Sequence, residues 1–447
     1  MKKHPLFLFA FAVLMAIGTT SYSQRTAAEY FEEGVNKSKA GDFVAALQAF
    51  NVAISLSPEN APSYYNRAIS KANLKDHRGA ILDFDRSIEL NPKYSDAYLY
   101  RGISKAKQDD FRASIQDFSR AIELNPDDAQ GYYQRGINRA RVDNSRGALQ
   151  DLNRAIELDP NNVGALFARG SVKIKLEDYA SASADFSRVV DLNPKNSATY
   201  SGRGYAKVNL NDFAGAIADY SKAIELKPED AESFYYRGFS RSKLDKFEEA
   251  INDFDQAIRL DPSNHRAYYG RGFCKSKLGS QRDAISDLNK AIDLNNNTSA
   301  KSKVVYVGSI SRSILDQLRD AVQERIKIIE LSEDRSEAYF IRGVGKSKQG
   351  DGKGAILDLN KAIEFNPTYS EAYFTRAMVR SSMGDQREAI ADCNSAIKLN
   401  PKYAEAFYVR GLIKHSLGDE NAGCLDLSKA GELGYTQAYK VISDYCN

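Results

Sequence analysis

The chain has 447 residues, of which 27% are charged and 43% are hydrophobic, and it contains no Trp. This length exceeds that of one ordinary compact domain, and the composition is typical of a soluble, helix-rich chain. With 62 basic and 59 acidic residues the net charge is +3, which gives no electrostatic reason to expect a nucleic-acid partner.

The first 23 residues have the pattern of a secretory signal peptide. Two lysines follow Met1, residues 6–17 form an apolar run, and small serines at 21 and 23 precede Gln24. Such a run is too short to span a hydrocarbon core of about 30 Å, which argues against a membrane anchor. The sequence therefore predicts an exported protein, periplasmic, at the cell surface or secreted, and a bacterial source fits this leader. Envelope association would need no transmembrane helix.

Beyond the leader, the sequence repeats every 34 residues, and nine of the eleven prolines share one repeat position. Within each unit, small and apolar residues mark two helical faces that a short turn joins, and the Pro ends the second helix. One Arg recurs in the first helix of ten units, at Arg67, Arg101, Arg135, Arg169, Arg203, Arg237, Arg271, Arg342, Arg376 and Arg410. The period therefore predicts an array of helix hairpins.

Positions are counted from the first residue of each unit, so that Arg237 is at position 7 of the unit starting at Ala231. Small residues at positions 8 and 20, an aromatic at 24, Ala at 27 and Pro at 32 resemble the tetratricopeptide repeat, in its variant with Arg-Gly at positions 7 and 8. The resemblance implies an all-α, right-handed superhelical solenoid of about twelve helix–turn–helix repeats. Its predicted segments are a signal peptide at 1–23, repeats 1–8 at 27–298, a degenerate repeat 9 at 299–335, repeats 10–12 at 336–435 and a capping helix at 436–447.

Repeat 9 departs from the others. It has 37 residues, lacks both the Arg and the Pro, and carries Arg325 at the aromatic position. Two interpretations stay open, a bend in the array or a decayed repeat that is still packed. A capping helix is expected at the C-terminus because the last repeat of a solenoid has no further neighbour to cover it.

The Arg at position 7 lies on the face that packs on the second helix, where an unpaired charge would cost several kcal/mol. Position 23 is Asp in the same ten units, and both residues are replaced together in repeats 1 and 9. We therefore predict a structural ion pair across each hairpin or to the adjacent repeat, as in Arg237–Asp253 and Arg271–Asp287, rather than an anion-binding ladder. A second basic ladder at position 11 is interpreted as favourable to the helix dipole, with stems covering apolar surface.

The resemblance also implies that the first helix of each repeat lines a groove in which partners bind. Positions 5, 9 and 13 then form an aromatic stripe with a basic margin, although some of these residues must pack between repeats. The predicted partner-binding residues are Tyr65, Tyr133, Phe167, Tyr235, Phe239, Tyr269, Phe273, Phe340, Phe374, Tyr408, Lys243 and Lys277. No repeat combines the Lys at position 5 and Asn at position 9 of the family's carboxylate clamp, which argues against a receptor for chaperone tails.

Catalytic and metal-binding patterns do not occur in the sequence. The four His share no helical face, and no phosphate loop or nucleophile motif is found, so we expect no metal, no cofactor and no catalysis. The cysteines form no CxxC or dense framework, so core or free thiols are expected at Cys274, Cys393, Cys424 and Cys446.

These observations predict a non-catalytic scaffold that binds a protein or peptide in the groove. The alternative is a glycan-binding or cell-wall-binding module, since aromatic platforms suit sugar rings. An enzyme is the third class, and it would need clustered polar groups that do not follow the repeat. The sequence names neither a particular partner nor an oligomeric state.

Overall fold

The computed structural model describes residues 25–301 and 335–446, without the side chains of residues 296–301 and 445. All regular structure in these ranges is α-helical. This confirms the predicted all-α solenoid class. The described chain forms two compact units, residues 25–160 and residues 161–446.

Each unit is built from consecutive helix hairpins. The helices of residues 25–160 are α1 (Ala27–Lys39), α2 (Phe43–Leu56), α3 (Ala61–Asn73), α4 (His77–Leu90), α5 (Ser95–Ala106), α6 (Phe111–Leu124), α7 (Ala129–Arg141) and α8 (Ser145–Leu158).

The second unit continues the same pattern. Its described helices are α9 (Val163–Lys175), α10 (Tyr179–Leu192), α11 (Ser197–Asn209), α12 (Phe213–Leu226), α13 (Ala231–Lys243), α14 (Phe247–Leu260), α15 (His265–Lys277), α16 (Gln281–Lys301), α17 (335–348), α18 (Gly352–Phe365), α19 (Ser370–Ser382), α20 (Gln386–Leu399), α21 (Ala404–Ser416), α22 (Glu420–Glu432) and α23 (Gln437–Tyr445).

The turn inside each hairpin depends on two consecutive residues. The first residue has a positive φ: this residue is Gly279 (φ +85°) in repeat 8 and Glu177 (φ +62°) in repeat 5. Gly adopts this conformation most easily because it has no Cβ. The second residue caps the next helix. Asn144, for example, accepts a hydrogen bond from the Gly147 backbone N–H at 3.0 Å. Where they form, these caps satisfy backbone donors that would otherwise have no partner at the start of the second helix.

Repeat 7 lacks this cap, and Lys246→Asn is expected to restore it. Lys246 has φ −86° and ψ 65°, nearly the values of Asn144 (−86° and 66°), but its side chain makes no capping hydrogen bond. We expect the variant to gain about 1 kcal/mol of stability, measured as a higher urea midpoint. The reverse change, Asn144→Lys, should lower the midpoint by a similar amount. Equal midpoints for the parent and both variants would contradict this role of the cap.

Small residues allow the two helices of a hairpin to approach closely, as the sequence pattern predicts. A Cβ added to Gly238 would lie 3.1 Å from the Phe254 ring and 3.2 Å from the Ala250 carbonyl oxygen. Ala250 has no exposed surface and Phe254 has 1%. The aromatic side chain at position 24 therefore fills the interior of the hairpin and covers its glycine.

Tyr220 occupies this interior position in repeat 6, and Tyr220→Phe is expected to stabilise the chain. Tyr220 is 1% exposed and stacks on Tyr236 at 5.6 Å, but its hydroxyl has no hydrogen-bond partner within the described residues. A buried hydroxyl without a partner costs about 1 to 3 kcal/mol. The melting temperature of the variant should rise. The matched change Phe254→Tyr, one repeat further on, should lower it, and a lower melting temperature for both variants would contradict the argument.

Repeats 8 and 10 are direct neighbours in the second unit. Arg342 donates from Nη1 to Asn289 Oδ1 at 2.8 Å, the contact that other position-7 arginines make with the preceding repeat. Leu288 and Ile292 also share a hydrophobic cluster with Ala338. The predicted repeat 9 falls largely on residues 302–334, which lie outside the described part of the chain, and its interpretation stays a prediction.

This contact predicts that the two repeats can be joined directly. We expect a chain lacking residues 296–332 and carrying Glu333→Pro, which recreates the usual connector, to keep its helicity and melting temperature. In that chain Leu288→Ala should cost about 2 to 5 kcal/mol, the same as in the parent, because Leu288 keeps its neighbours. Circular dichroism and urea unfolding would measure both effects. Two results would contradict the direct contact: loss of cooperative melting in the shortened chain, or no change in its free energy of unfolding on Leu288→Ala.

The C-terminus corrects the expectation of free thiols at two of the four cysteines. Cys424 and Cys446 form a disulfide with a Cα–Cα distance of 5.7 Å, whereas Cys274 and Cys393 are buried and free. The pairing has no local motif, since the two residues are 22 positions apart. It arises because α23 folds back on α22, where Tyr439 covers Gly431.

Candidate binding surface

The position-7 arginines and position-23 aspartates are in contact in ten repeats. Arg237 Nη2 lies 2.7 Å from Asp253 Oδ1, and the arginine Nε also donates to this carboxylate. The pairs are Arg67–Asp83, Arg101–Asp117, Arg135–Asp151, Arg169–Asp185, Arg203–Asp219, Arg237–Asp253, Arg271–Asp287, Arg342–Asp358, Arg376–Asp392 and Arg410–Asp426. In repeat 1, the Glu that replaces the Arg, Glu33, pairs with Arg25 at 2.7 Å.

Each of these carboxylates also holds a second cation, the residue at position 11. Arg241 Nη1 lies 2.7 Å from Asp253 Oδ2, and Lys275 Nζ lies 2.8 Å from Asp287 Oδ2. The second basic ladder therefore belongs to the same ion-pair network, beyond the expected dipole contact. The sequence could have indicated this shared network, because positions 7 and 11 are four residues apart and therefore lie on the same face of the first helix.

A second hydrogen-bond partner of the position-7 Arg lies in the preceding repeat. Arg271 Nη1 donates to Asp255 Oδ1 at 2.6 Å, and Arg237 Nη1 donates to Ser221 Oγ at 3.2 Å. Arg237 also lies over the Phe234 ring, with its Cζ 5.5 Å from the ring centroid. The Arg–Asp pair thus lies within one hairpin, the first of the two alternatives in the sequence analysis. Additional hydrogen bonds of the same arginines join neighbouring repeats and keep these side chains engaged inside the protein.

The electrostatics of this network follow from its geometry. Burial alone would lower the pKa of Arg271, but its hydrogen bonds to Asp287 and Asp255 outweigh burial and raise the pKa above its usual value. Its guanidinium therefore stays charged at any physiological pH, so the ion pair holds the two helices together over that whole range.

Most predicted groove aromatics at position 5 pack between repeats. Phe167 and Tyr235 are only 4% and 9% exposed, and Tyr65, Tyr133, Tyr269, Phe340, Phe374 and Tyr408 are half-buried. Four of these rings lie 4.7 to 4.9 Å from a tyrosine that comes just before the next repeat or, for Tyr435, just before the segment with α23. The pairs are Tyr65–Tyr94, Phe340–Tyr369, Phe374–Tyr403 and Tyr408–Tyr435. Their role in partner binding stays a prediction, and their contacts give them a structural one.

Positions 9 and 13 present a different surface in repeats 7 and 8. Lys243 Nζ lies 5.1 Å from the centroid of the Phe239 ring, and Lys277 Nζ lies 5.3 Å from that of Phe273. Both lysines are exposed and both rings are half-buried. These two pairs and the rings on which they rest are called the aromatic–lysine row, which consists of Phe213, Phe239, Lys243, Phe247, Phe273 and Lys277.

The sequence analysis missed the supporting rings of the row. Phe213 meets Phe239 edge-on at 6.5 Å, and Phe247 meets Phe273 edge-on at 6.3 Å. Both supporting rings occupy position 17, the first residue of the second helix, in the preceding repeat. The aromatic residues at position 17 could have indicated the supporting rings from the sequence, but only the stacking of repeats places them beneath position 9.

The described residues show neither a metal-binding cluster nor an exposed free thiol. No set of three or more His, Cys, Asp or Glu side chains there is placed to hold a metal ion. Burial raises the pKa of the Cys274 and Cys393 thiols to about 12, which makes both poor nucleophiles at neutral pH.

Family models agree with the repeat pattern over more than half of the chain. Models described as tetratricopeptide repeat match residues 65–129, 99–163, 133–197, 265–298 and 359–391. A model described as TPR repeat matches residues 204–245 and 242–279. No curated protein matches this sequence significantly.

Solved structures share parts of the array. A C-terminal part of a TPR repeat-containing protein from Cytophaga hutchinsonii is 21% identical over 54% of this chain and 98% of its own, with a TM-score of 0.46. A tetratricopeptide repeat protein from Parabacteroides merdae is 18% identical over 56% and 98%, with a TM-score of 0.41. YrrB, described as a TPR protein with an unusual peptide-binding site, is 21% identical over 49% and 96%, with a TM-score of 0.31. At these TM-scores the likenesses carry no argument about function.

Proposed function

The chain belongs to the tetratricopeptide repeat family, and from this premise we propose that it is a non-catalytic scaffold that binds a protein or peptide partner. The aromatic–lysine row carries the proposal. Its lysines are exposed, while the rings beneath them are half-buried and fixed by neighbouring rings. Rigid aromatic side chains are typical anchors of protein interfaces.

The chemistry of the row favours a peptide with acidic and apolar groups. Lys243 and Lys277 offer charge to acidic side chains, and the edges of Phe239 and Phe273 offer apolar surface. The same phenylalanine–lysine pair recurs in consecutive repeats, so that an extended peptide would meet the same side chains more than once. Because both lysines lie over the ring faces that a sugar would need, this geometry favours a peptide over a glycan.

We further propose that the protein works outside the cytosol, in the periplasm, at the cell surface or in the medium. The leader at residues 1–23 supports export. The disulfide between Cys424 and Cys446 supports an oxidising compartment, where such bonds persist. Among the described residues, no helix combines the length and the apolar character that crossing a bilayer requires.

Affinity capture from native envelope extract tests the scaffold. The bait begins at Gln24, and its row variant carries Lys243→Glu and Lys277→Glu. The matched control carries Lys195→Glu and Lys402→Glu, two exposed lysines outside the row with the same change in net charge. We expect the parent and the control to retain the same protein and the row variant to lose it. Equal retention by all three baits, or retention of polysaccharide alone, would overturn the proposal.

A further inference from the structure

Arg141 differs from the other cations at position 13. Lys243 and Lys277 are exposed, whereas Arg141 is half-buried. Its Nε has no solvent access and no hydrogen-bond partner, and within the described residues its side chain makes no ion pair. Its guanidinium lies over the Phe111 ring, with Cζ 4.8 Å from the ring centroid. Every position-7 Arg, by contrast, is bound to a carboxylate.

The surroundings of Arg141 leave its charge without a counterion. Asp109 is the acidic group whose charge acts on it, but Asp109 is an exposed turn residue that does not pair with it. Burial consequently lowers the pKa of Arg141. Two turns earlier on α7, Tyr133 is half-buried with a hydroxyl that makes no hydrogen bond in the described structure, and the fully packed Ile137 lies between them in sequence.

We propose that Arg141 is an anion subsite on the first compact unit, residues 25–160, and that it takes a carboxylate of the bound peptide. A partly desolvated guanidinium without a counterion is costly, and a carboxylate supplies the missing negative charge together with hydrogen-bond acceptors. The apolar wall of Phe111 strengthens this contact by excluding water. The inference rests on the proposed function, since it names a chemical group of that partner. The carboxylate comes from an Asp or Glu side chain or from a chain end.

Nuclear magnetic resonance of the full chain with ¹⁵N-labelled arginine tests the subsite directly. Arg141→Lys assigns the Nε–Hε signal. The probes are N-acetylglutamate N-methylamide for a side chain, N-acetylalanine for a chain end, inorganic phosphate, and N-acetylglutamine N-methylamide as a neutral control. We expect a saturable shift with a carboxylate probe at a dissociation constant of about 1 to 10 mM. No shift with either carboxylate up to about ten times that concentration, an equal shift with the neutral probe, or a response to phosphate alone would overturn the proposal.

Partner binding supplies the second readout. Arg141→Gln should weaken binding of the captured partner at least about tenfold, the loss expected for one charge-assisted contact. The control Arg146→Gln, in the same repeat but exposed on α8, should leave it unchanged. If the row variant loses the partner while Arg141→Gln keeps full affinity, the subsite fails and the scaffold stands. If no protein is captured but a carboxylate shifts Arg141, the scaffold fails and Arg141 is an anion site for small acids.

Discussion

Asp253→Ala is expected to lower the free energy of unfolding by about 3 to 5 kcal/mol. Asp253 is buried, with 3% of its side chain exposed, and it binds both Arg237 and Arg241 at 2.7 Å. Its removal leaves two cations without their carboxylate, and Arg237, only 16% exposed, cannot recover full hydration. Urea unfolding followed by circular dichroism measures the loss, and hydrogen exchange in α13 and α14 locates it.

An exposed ion pair provides the matched control for this prediction. Lys361 and Glu364 lie 2.7 Å apart on α18 with about half of each side chain or more exposed, and such pairs contribute about 0 to 1 kcal/mol. Glu364→Ala should therefore leave the urea midpoint nearly unchanged. The pair Arg237→Met with Asp253→Leu should recover part of the loss, because only Arg241, with 24% of its side chain exposed, then lacks its carboxylate. Equal effects of Asp253→Ala and Glu364→Ala would refute the structural role of the buried network.

Removing the disulfide by Cys446→Ser is expected to cost about 3 kcal/mol, the value for closing a loop of this length in the unfolded chain. The bond spans 22 residues and holds α23 against α22. Tyr435, at the base of α23, also packs on Tyr408 at 4.7 Å. Hydrogen exchange should therefore show that α23 opens faster than the other described helices, because α23 packs on α22 and the bond holds it there.

Chemical reduction separates the loss of the disulfide from any other effect of replacing Cys446. A reducing agent should destabilise the parent but leave the double variant Cys424→Ser with Cys446→Ser unchanged. In the native parent a thiol reagent should find no reactive cysteine, since Cys274 and Cys393 are buried, and two after denaturation without reduction. A parent that is insensitive to reduction, or that shows four thiols when denatured, would contradict the bond.

The sequence pattern predicted only part of the candidate binding surface. The repeat pattern identified Phe239, Phe273 and their lysines as surface candidates, and these residues form the aromatic–lysine row. It grouped Tyr235 with them, although that side chain is buried against the next repeat. Period alone cannot separate the two cases, because both positions face the same side of the first helix and only the packing of the next repeat decides which stays exposed.

The sequence by itself determined the hairpin, its period and the composition of its ion pairs. These features depend on residues within one repeat and its nearest neighbour, so a 34-residue period contains the information needed to predict them. Arg237 and Asp253, for example, are 16 residues apart and meet across a single turn. Turn residues, caps and small contact residues act over even shorter distances.

Only the tertiary structure decided which distant parts of the chain meet. It placed repeat 10 on repeat 8 through Arg342 and Asn289, which are 53 residues apart. It joined Cys424 to Cys446 by folding α23 back, and it left Arg141 half-buried with no counterion among the described residues. The physical reason is that burial and pairing at these sites depend on how neighbouring elements cover them, and a local sequence pattern does not record that coverage.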